Sequence, residues 1–165
     1  MNVLNEPSGA YFSDDMKFRY LLWRRWNDGE LLGFLMLNPS TANQKDNDPT
    51  ISKCIKYARI ENFSGIVVAN LFAFRSPNPE KLYLAEDPVG PLNDRWLKVF
   101  SNICSKIILA YGNHGKFNER DKEVLQKLSL DKLFYLKKNT NGTFSHPLYL
   151  NLNSPFLKVN KSDLP

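Results

Sequence analysis

Four apolar runs constrain what this chain can fold into, because each ends in a polar, turn-forming segment. Residues 31–37 (LLGFLML) lead into Asn38-Pro39-Ser40-Thr41, and residues 66–69 lead into Asn70-Leu71-Phe72-Ala73-Phe74-Arg75. Residues 107–110 lead into Tyr111-Gly112-Asn113-His114-Gly115, and residues 133–136 lead, through an Asn-Thr-Asn-Gly stretch, to Ser145-His146-Pro147. Helical patterns separate the runs, so the spacing predicts parallel strands. In a parallel sheet all strands finish on one edge, where ligands bind. The pattern therefore gathers four polar segments into one cleft.

The expected fold is α/β: a three-layer α/β/α sandwich around a mainly parallel four-stranded sheet. Strands are expected near 31–37, 66–70, 106–110 and 132–136. Ile51, Cys54, Ile55 and Ala58 follow helical spacing and predict a helix over 49–61, with Asp48 as its cap and Pro49 in its first turn. Leu92, Trp96, Phe100 and Ile103 predict a second helix over 91–104 along that face, and a third is expected over 119–128. The stretch from Lys17 to Trp26 is rich in aromatic residues and reads as a strand. Asn27-Asp28-Gly29 is turn chemistry, so this strand is expected to pair antiparallel with residues 31–37 as a hairpin. The long connection over 72–90 carries helical turns near 80–85, and a loop of that length is often functional.

The 165 residues suit one domain, with a loose arm over 1–10 and an irregular, polar tail over 151–165. Hydrophobic content of 42% and charged content of 24% exclude wholesale disorder. The net charge of +5 is compatible with a phosphate-bearing partner and equally with a plain basic protein. Cys54 and Cys104 have no ligand-type spacing and read as free buried thiols of a reducing compartment. No apolar stretch is long enough to span a membrane, and the first residues lack the pattern of a signal peptide. A cytoplasmic protein without metal or cofactor is expected. The chain has no P-loop, no nucleophile elbow and no Gly-rich dinucleotide fingerprint, which disfavours kinases, ordinary hydrolases and nicotinamide enzymes.

Several residues at the strand ends can carry chemistry, and each has a structural reading beside the functional one. Asn38 either contacts a ligand or closes a turn with Pro39, Ser40 and Thr41. Asp48 is explained by helix capping and can also offer a carboxylate, as can Asp46. The amide of Asn70 matches the donor–acceptor edge of a base, and it can equally tie down the next loop. Phe72 either stacks on a flat ligand or belongs to the core. Arg75 is a phosphate contact or a solvated charge. Gly112, behind Tyr111, suggests close approach of a ligand to backbone. His114 reads as exposed and bland. His146 should face the cleft, where it can donate to a developing anion.

Residues 11–150 resemble an uncharacterised bacterial and phage family, domain-of-unknown-function family 1643. The matching stretches are Phe12-Ser13, Arg19-Tyr20-Leu21, Met36 to Ala42, Asp48-Pro49-Thr50-Ile51, Asn70-Leu71-Phe72-Ala73 and His146-Pro147-Leu148-Tyr149. More distantly, the order of loops is similar to that of the uracil-DNA glycosylase superfamily. Leu37-Asn38-Pro39-Ser40 is similar to its Asn-Pro-Gly segment, whose asparagine positions the attacking water. Asn70 falls at its base-reading asparagine, Ala110 to His114 at its aromatic-Gly-Asn stretch, and His146-Pro147 at its His-Pro-Ser loop. That likeness implies a cleft that takes a nucleic-acid or nucleotide base. In it Asn38, Asp48 and His146 would act on an N-glycosidic bond, and Pro39, Ser40, Thr41, Asn70, Phe72, Arg75, Tyr111 and Gly112 would hold substrate. Ser40 stands where the superfamily has glycine, Leu148 where it has serine, and no aspartate stands beside Asn38. A non-catalytic nucleotide-binding module therefore remains the alternative.

Overall fold

Leu31–Met36 forms the middle strand of the sheet, and all six of its residues are buried. The structure is a computed structural model and describes residues 3–165. Its strands are β1 (Ser8–Phe12), β2 (Arg19–Arg25), β3 (Leu31–Met36), β4 (Gly65–Asn70), β5 (Lys106–Leu109), β6 (Leu133–Tyr135) and β7 (Leu157–Lys158). They form one seven-stranded sheet in the order β1-β2-β4-β3-β5-β6-β7. The pairings β4–β3, β3–β5 and β5–β6 are parallel, as the apolar runs predict. The outer pairings, β1–β2, β2–β4 and β6–β7, are antiparallel.

Alternation along β3 assigns its side chains to two cores. Leu32, Phe34 and Met36 meet Ile51, Cys54, Tyr57 and Ala58 of helix α1 (Pro49–Ile60). Leu31 and Leu35 belong to the other core, with Leu97 and Phe100 of α2 (Asn93–Ile103) and Val124 and Leu125 of α3 (Arg120–Leu125). Helices thus cover both faces, and full burial of a side chain such as Phe34 contributes about 1.5–3 kcal/mol. The N-terminus of α1 forms as its sequence dictates: Asp48 Oδ1 accepts from the Ile51 N–H at 2.8 Å, with Pro49 behind it.

The expected hairpin between β2 and β3 does not form. β4 lies between them, and β2 pairs with β4 from Leu22↔Val68 to Arg25↔Gly65. A strand as apolar as β3 takes two parallel partners, and the turn at residues 27–29 reaches around the start of β4. There the Trp26 and Asn27 N–H groups both donate to the Ser64 carbonyl, while Ser64 N–H donates to Glu30.

The arm and tail are also more ordered than expected. Residues 8–12 pair with β2, and the Trp23 indole donates to the Glu6 carbonyl at 2.9 Å. The first two residues of the arm lie outside the described residues. In the tail, Leu157 and Lys158 pair with β6, Val159 is buried, and the Tyr57 hydroxyl donates to the Asn151 carbonyl at 2.8 Å.

Two helices depart from their expected outlines. The buried face of α2 is Asn93, Leu97 and Phe100, whereas Leu92 precedes the helix and is exposed. α3 is short because 3-10 turns occupy residues 113–119, broken by positive φ at Asn118 and Glu119. Pro79–Leu84 is a 3-10 turn where helical turns are expected. Both cysteines are free and buried, and burial pushes both thiols up, so neither is a ready nucleophile. Among the described residues no helix is long and apolar enough to cross a membrane.

Gly33 lets the end of α2 pack closely on β3. A Cβ there would lie 2.9 Å from both Cys104 Sγ and the Phe100 ring. Gly33→Ala is therefore expected to destabilise the protein by about 1–3 kcal/mol through overpacking, read from urea unfolding midpoints. An unchanged midpoint would contradict this packing.

Candidate ligand-binding cleft

The connections diverge where β3 and β5 lie side by side. β3 continues to β4 through α1 on one face, and β5 continues to β6 through α3 on the other. Neighbouring strands that send their chains to opposite sides leave a crevice at their C-terminal ends. A cavity of about 340 Å³ occupies this point, within the range of small-molecule sites. β3 delivers Asn38 and Ser40 to it, β4 delivers Asn70, and β5 delivers Tyr111 and Gly112. Asp48 reaches it from the start of α1 and His146 from the loop after β6. Because β2 runs antiparallel to β4, its first residue, Arg19, also lies at this edge.

Asn38 is fixed by its amide. Nδ2 donates to the carbonyls of Phe74 at 3.1 Å and Ser76 at 3.0 Å, which ties the loop after β4 to the end of β3. Oδ1 has no protein donor among the described residues and is an oriented acceptor. Asn70 is 2% exposed, and its Oδ1 is buried without a hydrogen-bond partner. Its backbone carbonyl accepts from Asn93 Nδ2 at 3.0 Å, so the strand end cannot shift to relieve that atom.

Gly112 has φ of +71°, and a Cβ there would meet nothing within 4 Å. Its N–H donates to Phe144 at 2.8 Å, joining the β5 and β6 loops. The backbone is thus bare where it borders the cavity. Tyr111 is buried under Gly115 with its ring edge-on to Phe144, and burial pushes its phenol well above the ordinary value.

His146 is half-buried, and its Nδ1 accepts from the Leu148 N–H at 3.3 Å. That bond requires an unprotonated Nδ1, so the neutral ring carries its proton on Nε2. Burial lowers its pKa, with the Asp48 carboxylate opposing that shift. Asp48 commits Oδ1 to the helix cap and leaves its other oxygen without a hydrogen bond among the described residues.

Other residues singled out from the sequence lie elsewhere. Phe72 is fully buried in the α2–α3 core, 5.8 Å from the Phe117 ring, so it is core and not a stacking surface. Pro39 is buried and does not line the cavity; its carbonyl accepts from Ser76 N–H. Thr41 and Arg75 line an outer shelf beyond Ser40 and Ser76. Arg75 stacks 4.7 Å over Phe12 and donates to the Met16 carbonyl at 3.0 Å, so it is neither in the cleft nor merely solvated. Asp46 is exposed and accepts from Asn43. His114 is half-buried and does border the cavity, 2.7 Å from the Tyr83 hydroxyl through Nδ1.

Arg19 is the cleft residue that reading the sequence passes over. It is 3% exposed. Burial pulls its guanidinium down to about 10 while Asp48 opposes the shift, so it stays charged at neutral pH. The available signal was a charge inside an aromatic strand pattern. A more open cavity of about 550 Å³ lies at the far end of β2, but its Arg25 and Asp28 already pair at 2.6 Å. Among the described residues no group of three or more His, Cys, Asp or Glu side chains could hold a metal ion.

Residues 19–148 match the family described as a protein of unknown function, DUF1643. The chain belongs to the DUF1643 family. No curated protein and no solved structure matches it significantly. The DUF1643 match starts at Arg19 and ends just past His146, so it encloses every cleft residue and leaves out β1 and β7.

The His146 assignment has a direct consequence. Its folded pKa lies below 6.5, so above that pH the ring is neutral in folded and unfolded states alike. Below it the unfolded chain binds the proton more readily, and stability falls until the folded pKa is passed. NMR titration of the His146 ring should give a midpoint below 6.5, with Nε2 protonated at neutral pH. A midpoint at or above 6.5 would contradict the buried, neutral ring.

Proposed function

We propose that this cleft takes a nucleobase of a nucleic acid or nucleotide and acts on the N-glycosidic bond that holds it. The observation that carries the reading is Asn70 Oδ1, a buried acceptor without a partner on the wall of a base-sized cavity. Buried polar atoms are almost always paired, and the N–H edge of a base supplies the missing donor. The superfamily likeness to uracil-DNA glycosylases supports the same orientation, with Asn70 at its base-reading position.

The chemistry follows from the atoms left available. A base inside a duplex must first be extruded to reach such a cavity. Asn38 Oδ1 can accept from a water and aim its oxygen at the sugar C1′. The C1′–N bond breaks with its electron pair leaving on the base, the water oxygen bonds to C1′, and the proton that this water sheds neutralises the departed base anion. The oxocarbenium-like sugar would be favoured by the second carboxylate oxygen of Asp48. The departing base would accept from His146 Nε2–H, a neutral donor to a developing anion. Tyr111 and Val68 would border the ring.

One observation favours a second reading, a non-catalytic base-binding module. Asn38, Asp48 and His146 each already hold backbone: the loop after β4, the start of α1 and the Leu148 N–H.

Base release from single- and double-stranded oligonucleotides carrying uracil, oxidised, alkylated or hypermodified bases separates the two. For the enzyme, Asn38→Ala and His146→Ala should each lower release about 100-fold or more while affecting binding far less. Binding without release on the whole panel would establish the module. Release that survives both substitutions would place the chemistry on other residues.

A further inference from the structure

Three arginines are almost fully buried; Arg19 and Arg24 form no ion pair among the described residues, and Arg19 alone of the three also leaves a buried guanidinium nitrogen without a hydrogen bond. Arg120 donates to the Leu71 carbonyl at 2.8 Å and pairs with Asp94 at 2.6 Å and Glu123 at 3.3 Å. Arg24 donates to Asn47 Oδ1 at 2.8 Å and to the carbonyls of Trp23 and Asn43 at 2.8 and 2.6 Å. Arg19 makes one side-chain hydrogen bond, from Nη1 to the Ala42 carbonyl at 3.0 Å. Its Nε is buried without a partner, and it forms no ion pair among the described residues. Asp48 lines the same cleft and acts on Arg19 through space, but its Oδ1 is held by the helix cap.

A buried charge without a partner is costly. With Nη1 anchored, the unpartnered side of the guanidinium is the Nε/Nη2 edge, a geometry that grips two oxygens of one oxyanion at once. Asn70 stands on the neighbouring strand with its own orphan, an acceptor, and both residues line the one cavity. Neighbouring strands are about 5 Å apart, so a single small ligand can reach both.

We infer that Arg19 is an anion-binding residue of this cleft, and that the ligand is a base-bearing molecule with a carboxylate or phosphate seated on the Nε/Nη2 edge. The anion site stands on Arg19 alone; its attachment to a base rests on the nucleobase reading of the cleft. The anion has two chemical sources, an acidic substituent on the base or the phosphate of a nucleotide.

Calorimetric titration with matched probes tests this: 5-carboxyuracil against uracil, uridine monophosphate against uridine, and inorganic phosphate alone. The wild type should bind at least one anionic probe about tenfold or more tightly than its neutral parent, and the pair that shows the preference names the source. Arg19→Met should abolish the preference, leave the neutral parent's affinity within about twofold, and melt no lower than the wild type, since it removes an uncompensated charge. Arg19→Lys, a charge without the fork, should keep only part of the preference. Equal affinity for charged and neutral probes, or equal loss of both in Arg19→Met, would overturn the inference. So would failure of Arg19→Met to fold, which would mean the charge is compensated within the protein. If no base-bearing probe binds but phosphate raises the melting temperature of the wild type and not of Arg19→Met, the anion site stands and the nucleobase reading fails. If phosphate and every probe leave the wild type unchanged, the anion site is refuted.

Discussion

The parallel register of β3 against β4 and β5 is the constraint on which the cleft depends. Met36 lies opposite Asn70 and Leu35 opposite Leu109, so all three strands finish together. The ladder continues past the strand ends: Leu71 N–H donates to Met36 at 2.8 Å, Phe72 N–H to Leu37 at 2.9 Å, and Ala110 N–H to Leu35 at 2.8 Å. Side chains then take over. Asn93 clamps the Asn70 and Leu71 carbonyls, Asn38 clamps the loop after β4, and Arg24 holds the 43–47 loop against β2. The loops of the cleft are thereby preorganised, which a binding or catalytic site requires if ligand binding is not to bear the cost of ordering them.

The electrostatics within that frame are uneven. Arg24 and Arg120 sit in saturated networks and serve structure, whereas two of the five buried side-chain atoms without a partner among the described residues, Arg19 Nε and Asn70 Oδ1, belong to residues that line the cavity; Tyr20, Arg75 and Asn93 carry the other three, away from it. Unsatisfied buried groups reduce stability. The pair at the topological switch point, a donor and an acceptor on one cavity, is what the ligand reading rests on. Asp48 and His146 add an acceptor and a neutral donor on the α1 side, so the cavity presents complementary chemistry from several directions.

The parallel core and the edge on which the polar segments meet were legible in the sequence because the signals were local. Apolar runs, a capped helix start at Asp48-Pro49 and polar strand ends all act over a few residues. The position of β2 was not legible, since Asn27-Asp28-Gly29 reads alike in a tight hairpin and in a turn that passes around β4. Residues 8–10 read as part of a loose arm and 157–158 as part of an irregular tail, because short edge strands borrow their order from partners far along the chain. Phe72 lies two residues past Asn70, where strand alternation would keep it on the cleft side, yet β4 ends at Asn70 and the chain beyond it turns the ring into the α2–α3 core. Arg19 illustrates the converse: the antiparallel direction expected for β2 already takes its first residue to the functional edge, but a lone charge at a strand start does not announce that its side chain is buried there. The DUF1643 family match spans these residues but names no chemistry for them.

The central claim, that the cavity at the ends of β3, β4 and β5 receives a base through Asn70, is tested most directly by a crystal structure of the protein soaked with a pyrimidine nucleoside. The account predicts a base N–H donating to Asn70 Oδ1 at about 2.7–3.2 Å, with the glycosidic bond between Asn38 and His146. A nucleoside bound elsewhere, with Asn70 Oδ1 paired to a water or to another protein group, would contradict it.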